Sequence, residues 1–234
     1  MAVRTEWIEL SVDDGTSMRA WTARPDGRDV RRGLLVFQEA FGVNAHIRAV
    51  TERFADAGFI AIAPELFHRT APGFDCRYDE FPKAMPHLQA IAEVDLDADV
   101  RAAFGWLERM GVAENTAAVG YCLGGRVAFV ANSAVPLKAA ASYYGGGLPP
   151  LAGRAPRLSG PSLFFWGGQD HHIPEAHRQA VAKAVGDADK PFVDVVFSDA
   201  DHGFFCDARP SYNAEAAAQA WSLTNAFFDV YCPR

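Results

Sequence analysis

The sequence predicts an α/β fold with a mostly parallel central sheet and helices on both faces. Short apolar runs alternate with stretches of helical periodicity along most of the chain, and several of those runs are apolar at every position. Alternating strands and helices are typical of parallel sheets, and continuous apolar runs are typical of strands buried on both faces. The length of 234 residues fits one domain, which we take to span residues 1–234.

The chain is expected to begin with a β-hairpin within residues 1–24. Residues 7–12 and 17–23 alternate partly between apolar and polar side chains, and Asp13-Asp14-Gly15 between them is a turn signal. Six further strands are predicted as short, mainly apolar runs, and they cover residues 33–37, 59–63, 116–120, 139–144, 162–166 and 192–197.

Helices are predicted between these strands from capping residues and apolar spacing. Asn44 can cap a helix that extends to Gly58, and Pro174 suits the first position of another helix. Helical spacing also covers residues 87–110, the segment from Gly125 to about Ser133, and residues 214–231. Residues 64–85 are interrupted by prolines and a glycine, so we expect a loop there.

Composition and charge exclude several classes of protein. Hydrophobic residues make up 50% of the chain, which is enough to bury a core and excludes a disordered protein. The formal net charge is −7, and the one basic cluster, Arg28, Arg31 and Arg32, is expected in a surface loop. Nucleic-acid binding is therefore not expected. No apolar run reaches the roughly 18–20 residues of a membrane span, so no membrane partner is expected either.

The cellular setting is predicted from the N-terminus and the cysteines. The first six residues lack the apolar segment of a secretory signal. The four cysteines form no CxxC pair and no metal-binding spacing. We therefore expect a cytoplasmic protein whose thiols are free.

A candidate nucleophile follows the third of the buried strands. Gly120-Tyr121-Cys122-Leu123-Gly124 has the form G-x-C-x-G, the strand-to-helix turn known as a nucleophile elbow, with cysteine in the place of serine. Glycines are needed there because side chains beside the tight turn would clash. The N-terminus of the following helix favours a thiolate and offers N–H groups to an oxyanion. The alternative is a buried cysteine at a glycine-rich turn.

An acid and a base follow in the chain order of α/β-hydrolases. Asp170 comes after the fifth of these six strands and His202 after the sixth, so both are expected at the same edge of the sheet as Cys122. His202 would exchange the thiol proton, and Asp170 would orient His202 and stabilise its imidazolium. Taken singly, Asp170 could be a loop carboxylate and His202 a surface histidine. The order of all three favours a catalytic triad.

With this triad and the residues around it, the chain resembles the dienelactone hydrolase (carboxymethylenebutenolidase) family. The resemblance covers residues 33–232, and its order and spacing are specific. It rests on Gln38-Glu39-Ala40-Phe41-Gly42-Val43-Asn44, Gly120-Tyr121-Cys122-Leu123-Gly124-Gly125, Tyr143-Tyr144-Gly145, Gly168-Gln169-Asp170 and His202-Gly203-Phe204. It implies an α/β-hydrolase fold, a Cys-His-Asp triad and no cofactor. The substrate implied is an activated enol lactone such as a dienelactone, opened through an acyl-thioester.

The resemblance also assigns roles that the residues alone do not. Glu39, at the end of the first buried strand, is implied to interact with the resting thiol and to take its proton when substrate arrives. The backbone N–H groups of Leu123 and Ala40 are the implied oxyanion hole. The alternative for Glu39 is a solvated loop carboxylate.

Substrate binding is predicted from arginines and one tyrosine. The family substrate carries a carboxylate, which Arg209 or Arg77 could hold through a bidentate contact. The well-studied relatives have an arginine a few residues after the catalytic histidine, whereas here Cys206 stands four positions after His202 and Arg209 is the nearest arginine. Tyr144 could line the pocket or belong to the core.

Other hypotheses remain open at the level of sequence. One is a carboxylesterase or thioesterase of the same family that acts on another small ester. Another is a binding module that keeps the fold without catalysis. A metal site built from His171, His172 and His202 is not expected, because adjacent histidines point apart. The expected partner is a small lactone or ester, bound by a monomer or small homo-oligomer.

Overall fold

The chain forms an eight-stranded sheet whose carboxyl-terminal six strands are parallel. The computed structural model describes residues 2–27 and 30–234. The strands lie in the order β1-β2-β4-β3-β5-β6-β7-β8, and only the β1–β2 and β2–β4 pairs of the described sheet are antiparallel. Their bounds are β1 Val3–Ser11, β2 Ser17–Pro25, β3 Gly33–Phe37, β4 Ile60–Pro64, β5 Thr116–Tyr121, β6 Ala139–Tyr143, β7 Ser162–Gly167 and β8 Phe192–Phe197.

Helices cover both faces of this sheet, which confirms the predicted α/β class. They are α1 Ala45–Asp56, α2 Phe81–Ala90, α3 Glu93–Arg109, α4 Leu123–Ala134, α5 Glu175–Asp187 and α6 Ala214–Tyr231. On one face α1 meets α6 through Phe54, whose ring centroid lies 4.6 Å from that of Trp221. On the other face α3 packs against α4, and α4 covers β5 and β6.

The predicted N-terminal hairpin is present as β1 and β2. Its turn is held by Asp14, whose Oδ1 accepts hydrogen bonds from the Thr16 backbone N–H at 2.9 Å and from the Thr16 hydroxyl at 2.6 Å. Gly15 in the turn has φ +85°, a conformation that glycine adopts without strain. The predicted cap of α1 is also present, because Asn44 Oδ1 accepts from the Ile47 N–H.

The region between β4 and β5 differs from the prediction. The expected loop at 64–85 ends early, because α2 begins at Phe81, and the expected helix at 87–110 is divided at Ile91 and Ala92. Pro82 is tolerated because it lies in the first turn of α2, where its missing N–H has no helical partner. The backbone is extended at Ile91 and Ala92, and α3 then starts anew.

Arg32 also differs from the prediction, since it is buried rather than part of a surface loop. Its Nη1 atom lies 2.9 Å from Asp229 Oδ1, and its guanidinium lies 3.8 Å from the ring centroid of Phe59. Arg28, from the same basic cluster, lies outside the described residues. Pro174 stands at the cap before α5 rather than at its first helical position.

No described helix combines the length and the apolar composition that crossing a membrane requires.

Candidate active site

Cys122 lies in the turn between β5 and α4 with a strained backbone. Its φ of 55° and ψ of −113° fall in a region that side chains other than glycine rarely adopt. A Cβ atom at Gly120 would overlap the carbonyl of Gly124, and one at Gly124 would overlap the carbonyl of Phe37. The G-x-C-x-G pattern is therefore what lets α4 start directly above the end of β3.

Three side chains from three strand ends meet at this turn. His202 Nε2 lies 3.1 Å from Cys122 Sγ, and His202 Nδ1 lies 2.8 Å from Asp170 Oδ2. The other oxygen of Asp170 accepts from the backbone N–H groups of His172 and Ile173, at 2.8 and 3.1 Å. Asp170 is thus fixed on both oxygens, and it holds the imidazole with one nitrogen facing the thiol.

The electrostatics of these groups favour a charged histidine. Burial opposes the imidazolium of His202, but the negative charge at Cys122 and the hydrogen bond to Asp170 outweigh burial and raise the pKa of His202 to about 10. Burial acts against the charge of Asp170 in the same way, yet the hydrogen bond and charge of His202 lower the pKa of Asp170. The arrangement can therefore hold a proton on His202 beside Cys122 at neutral pH.

Glu39 lies just beyond the end of β3 and is fully buried. Its Oε1 atom accepts from Arg209 Nη1 at 3.0 Å, with the Glu39 side chain 0% and the Arg209 side chain 18% exposed. Its Oε2 atom has no hydrogen-bond partner among the described residues. Cys122 Sγ faces His202 in this structure, while Glu39 is engaged by Arg209.

The two backbone groups expected to bind an oxyanion lie where the end of β3 meets the start of α4. Leu123 is the first residue of α4, and Ala40 follows Glu39 in the buried loop beyond β3. Within residues 2–27 and 30–234, neither N–H donates to a backbone carbonyl. Both N–H groups therefore lack a backbone acceptor, which is one requirement of an oxyanion hole.

A cleft of about 900 Å³ opens beside the triad, and both predicted arginines line it. Arg209 lies deep, with its guanidinium 5.6 and 5.7 Å from the ring centroids of Phe41 and Tyr78. Arg77 lies at the rim with its side chain 78% exposed, and it is bound by both carboxylate oxygens of Asp79 at 2.9 and 2.6 Å. The depth of Arg209 favours it as the residue that meets a substrate anion.

Tyr144 lies behind the triad rather than on the wall of the cleft. It is fully buried, its φ is 39°, and its ring centroid lies 5.1 Å from that of His202. Burial, together with the nearby Glu39 carboxylate, raises the pKa of Tyr144 well above that of an ordinary tyrosine. The ring therefore supports His202, and the uncharged hydroxyl faces the neighbourhood of Glu39.

Sequence reasoning missed a second set of groups around Glu39. His46, from the first turn of α1, and Cys206, from the loop after His202, bring a ring nitrogen and a sulfur to within 4.8 Å of a Glu39 oxygen and of each other. Cys206 donates to the Tyr78 hydroxyl at 3.1 Å. The sequence signals were faint: His46 stands two residues after the cap of α1, and Cys206 occupies the expected place of an arginine.

The other thiols of the chain are free but less suited to nucleophilic attack. Burial raises the pKa of Cys206 and of Cys232 to about 11, and burial also raises the pKa of Cys76. Cys122 is half-buried and lies next to His202, which lines the cleft. Its position, rather than the presence of cysteine as such, distinguishes it.

Comparison with known proteins identifies the family of the chain. Residues 18–232 match the dienelactone hydrolase family. A protein of Synechocystis sp., provisionally named a carboxymethylenebutenolidase, is 36% identical over 209 residues, which are 84% of this chain and 85% of that protein. The carboxymethylenebutenolidase of Pseudomonas putida is 31% identical over 221 residues, which are 92% of each chain.

A solved structure is similar over nearly the whole length. The crystal structure of a Klebsiella pneumoniae protein, provisionally named a dienelactone hydrolase, has a TM-score of 0.89 and 30% sequence identity. The match covers 99% of this chain and all of that one.

Proposed function

The chain belongs to the dienelactone hydrolase family and is a hydrolase of ester bonds, and from that premise we propose that it opens an activated enol lactone with Cys122 as nucleophile. The observation that carries the proposal is the hydrogen-bonded series from Cys122 Sγ through His202 to Asp170, at 3.1 and 2.8 Å. It lies at the edge of a cleft large enough for a small lactone.

The first step proposed is the formation of the nucleophile. The thiol proton of Cys122 moves to His202, where Asp170 stabilises the resulting imidazolium. Glu39 is a second proton acceptor for a thiol turned away from His202. Arg209 now binds Glu39, so a substrate carboxylate that competes for Arg209 would weaken that ion pair and make the Glu39 oxygens available.

Acylation then joins Cys122 sulfur to the lactone carbonyl carbon. The carbonyl oxygen becomes an oxyanion, which the N–H groups of Leu123 and Ala40 bind. As the carbonyl reforms, the ring C–O bond breaks and the electron pair leaves as an enolate on the same molecule. A thioester on Cys122 results, and the enolate is a good leaving group for a thiolate.

Deacylation returns the enzyme to its starting state. Water attacks the thioester carbon, the C–S bond breaks, and Cys122 leaves as a thiolate, which takes its proton back from His202. The enolate is basic enough to take one proton from the attacking water, which compensates for the poor reactivity of a thioester toward neutral water. The product is a carboxylic acid whose former ring oxygen is an enol, so one water is consumed for each lactone opened.

A carboxylate on the substrate is expected to be held by Arg209. A guanidinium can bind a carboxylate with two parallel hydrogen bonds, and that contact sets both position and orientation. Arg77 at the rim is the second candidate, although Asp79 already occupies its guanidinium. Tyr144 would keep His202 in place from behind, without contact with the substrate.

Two alternatives keep part of this account. The chain could hydrolyse another small ester or thioester with the same triad, because the arginine is displaced from the position expected for the family. It could also be a binding module without turnover. The hydrogen-bonded arrangement of Cys122, His202 and Asp170 argues against the second alternative, since a binding site has no use for all three in contact.

The experiment is a rate assay on cis- and trans-dienelactone and on p-nitrophenyl acetate, with the wild type and the Cys122→Ser and Cys122→Ala variants. We expect rapid dienelactone opening by the wild type, with both variants reduced by about 10⁴-fold or more. Cys232→Ala, which removes a buried thiol remote from the cleft, is the matched control and should turn over normally.

Each other result of the rate assay either supports one of the two alternative functions or contradicts Cys122 as the nucleophile. Turnover of the acetate without dienelactone activity would keep the thiol nucleophile and replace the substrate. Wild-type dienelactone turnover by Cys122→Ala would overturn the nucleophile. No turnover of any of the three esters by the wild type would favour the binding module.

A further inference from the structure

We propose that Glu39, His46 and Cys206 form a binding site for a thiophilic divalent cation, Zn²⁺ in particular, and that its occupation inhibits the enzyme. One sulfur, one imidazole nitrogen and one carboxylate oxygen from these residues lie within 4.8 Å of one another. The inhibitory part of the proposal rests on the role of Glu39 proposed above. The binding part rests on geometry alone.

The donor atoms suit zinc in kind and in number. Zinc is bound by thiolate, imidazole and carboxylate, and three protein ligands with an open fourth position are a common arrangement. In a tetrahedron with metal–ligand bonds of about 2.0–2.3 Å, the ligand atoms lie about 3.3–3.5 Å apart. Side-chain movements of roughly 1 Å would bring the three donors into that range. The soft sulfur selects zinc over magnesium or calcium.

Two of the three donors are buried atoms without a partner. Glu39 Oε2 and His46 Nε2 make no hydrogen bond to any described residue. Buried polar atoms are rarely left unsatisfied, because each one loses its hydration without compensation. Glu39 Oε1 is already bound by Arg209, so Oε2 can meet a cation while the ion pair with Arg209 persists.

The groups around the donors resemble the outer shell of a metal site. His46 Nδ1 lies 3.6 Å from the carboxylate of Asp207, which directs the opposite nitrogen, Nε2, inward. A ligating histidine commonly gives its other N–H to a carboxylate, and the Asp207 carboxylate lies just beyond hydrogen-bond distance of Nδ1. Near the sulfur, the Tyr78 hydroxyl now accepts from Cys206 and from the Asn44 amide. After Cys206 loses its proton, that hydroxyl can turn and donate to the thiolate.

A cation can reach the site from the cleft, because His46 and Arg209 line its wall. On binding, the metal–sulfur bond replaces the S–H bond of Cys206, and that proton passes to solvent. No oxidation or reduction is involved. Since Glu39 Oε2 would then be coordinated, Glu39 could no longer take a proton from Cys122, and turnover would fall. The site is distinct from the triad, whose own thiol and imidazole could also attract zinc.

The test therefore uses the full chain with Cys122→Ser, which removes the catalytic thiol as a competing ligand. Co²⁺ is the spectroscopic probe, because a cobalt–thiolate bond gives a charge-transfer absorption that Zn²⁺ abolishes by displacement. We expect Cys122→Ser to show this band with one equivalent of Co²⁺. Adding Cys206→Ser should remove the band, and adding His46→Gln should weaken Co²⁺ binding at least tenfold. Adding Cys76→Ser, a matched buried thiol at the same cleft, should leave it unchanged.

The outcomes separate the site from the proposed catalytic role. Absence of the band in Cys122→Ser, or its survival after Cys206→Ser, would overturn the site, provided that near-ultraviolet circular dichroism shows folded protein. With the band present, Zn²⁺ should inhibit dienelactone turnover by the wild type, and His46→Gln should require at least tenfold more Zn²⁺ for the same fractional loss. A band without inhibition would keep the site and overturn the role of Glu39.

Discussion

Two buried His–Asp pairs occur among the described residues, one in the candidate active site and one remote from it. His202 Nδ1 lies 2.8 Å from Asp170, and His68 Nε2 lies 3.0 Å from Asp99. Asp170 comes from the loop after β7 and His202 from the loop after β8. Asp99 belongs to α3, and His68 belongs to the loop after β4. By distance and burial the two pairs are nearly alike.

The two pairs differ in the other contacts of the aspartate and in what the second ring nitrogen of the histidine meets. Asp99 also accepts from both terminal nitrogens of Arg69, at 3.0 and 2.8 Å, so its charge is compensated within the protein. The second nitrogen of His68 is buried and meets no described partner. The second nitrogen of His202 faces Cys122 and the cleft. A His–Asp pair therefore becomes a candidate catalytic device through a nucleophile and an opening, and otherwise remains a structural ion network.

The largest expected difference between the pairs concerns turnover. Asp170→Asn keeps the shape of the side chain but removes the charge that orients and stabilises the His202 imidazolium. We expect kcat for the lactone to fall by about 10³–10⁴-fold, as loss of the acid charge does in serine triads. The free energy of unfolding, measured in urea, should change far less than kcat does. Retention of more than a tenth of wild-type kcat would contradict the triad.

The matched change at the other pair should affect stability instead. Asp99→Asn removes the negative charge beside Arg69 and His68, and leaves Asp14 as the only remaining counter-ion of Arg69 among the described residues. Loss of a buried hydrogen-bond acceptor costs about 1–3 kcal/mol, and the urea midpoint should fall accordingly. In native buffer, kcat per folded molecule should stay at the wild-type value. A large loss of kcat with unchanged stability would reverse the roles of the two pairs.

A smaller effect is expected at the arginines of the cleft. Arg209→Lys keeps a charge near Glu39 but loses the planar fork that binds a carboxylate with two hydrogen bonds. We expect KM for dienelactone to rise by about 10-fold, a loss of about 1.4 kcal/mol in substrate binding. The KM for p-nitrophenyl acetate, which has no carboxylate, should rise less.

Arg77→Lys is the matched control at the exposed rim. Its KM for dienelactone should stay close to that of the wild type. Equal effects of the two substitutions on dienelactone would place the carboxylate at the rim. No effect of either would favour an uncharged ester as the substrate.

The smallest expected effect is a shift in the pKa of His202. The charge at Cys122 helps to raise the pKa of His202 to about 10, so the imidazolium should persist as the pH rises until about that value. In Cys122→Ser that negative charge is absent, and the pKa of His202 should fall. The measurement is the ring-proton chemical shift by NMR between pH 5 and 11. The same midpoint in both proteins would show that Asp170 alone sets the charge of His202.

Much of the fold follows from local sequence pattern, and part of it does not. The bounds of the buried strands β3 to β7 were predicted to within one residue at each end, because a strand covered on both faces must be apolar throughout. The start of α2 was missed because Pro82 was taken as a loop residue, although proline is acceptable in a first turn. Arg32 was missed because its burial depends on Phe59 and on Asp229 at the other end of the chain.

Part of the candidate site could likewise be predicted from the sequence, and part of it could not. Cys122, Asp170 and His202 could be chosen from sequence because each follows a strand, and the ends of parallel strands meet at one edge. The ion pair between Glu39 and Arg209 joins positions 170 residues apart in the chain, and no local pattern encodes it. The cluster around Glu39 was missed for the same reason, since His46 and Cys206 come from elements that meet only in three dimensions.

The central claim is that His202 and Asp170 make Cys122 a reactive nucleophile. The most direct measurement is the rate at which iodoacetamide alkylates each cysteine at pH 6, followed by mass spectrometry, with turnover assayed on the same samples. The account predicts that Cys122 reacts faster than free cysteine and far faster than the three buried thiols, and that one alkyl group on Cys122 abolishes turnover. Reaction of Cys122 no faster than free cysteine, or full turnover after its complete alkylation, would contradict it.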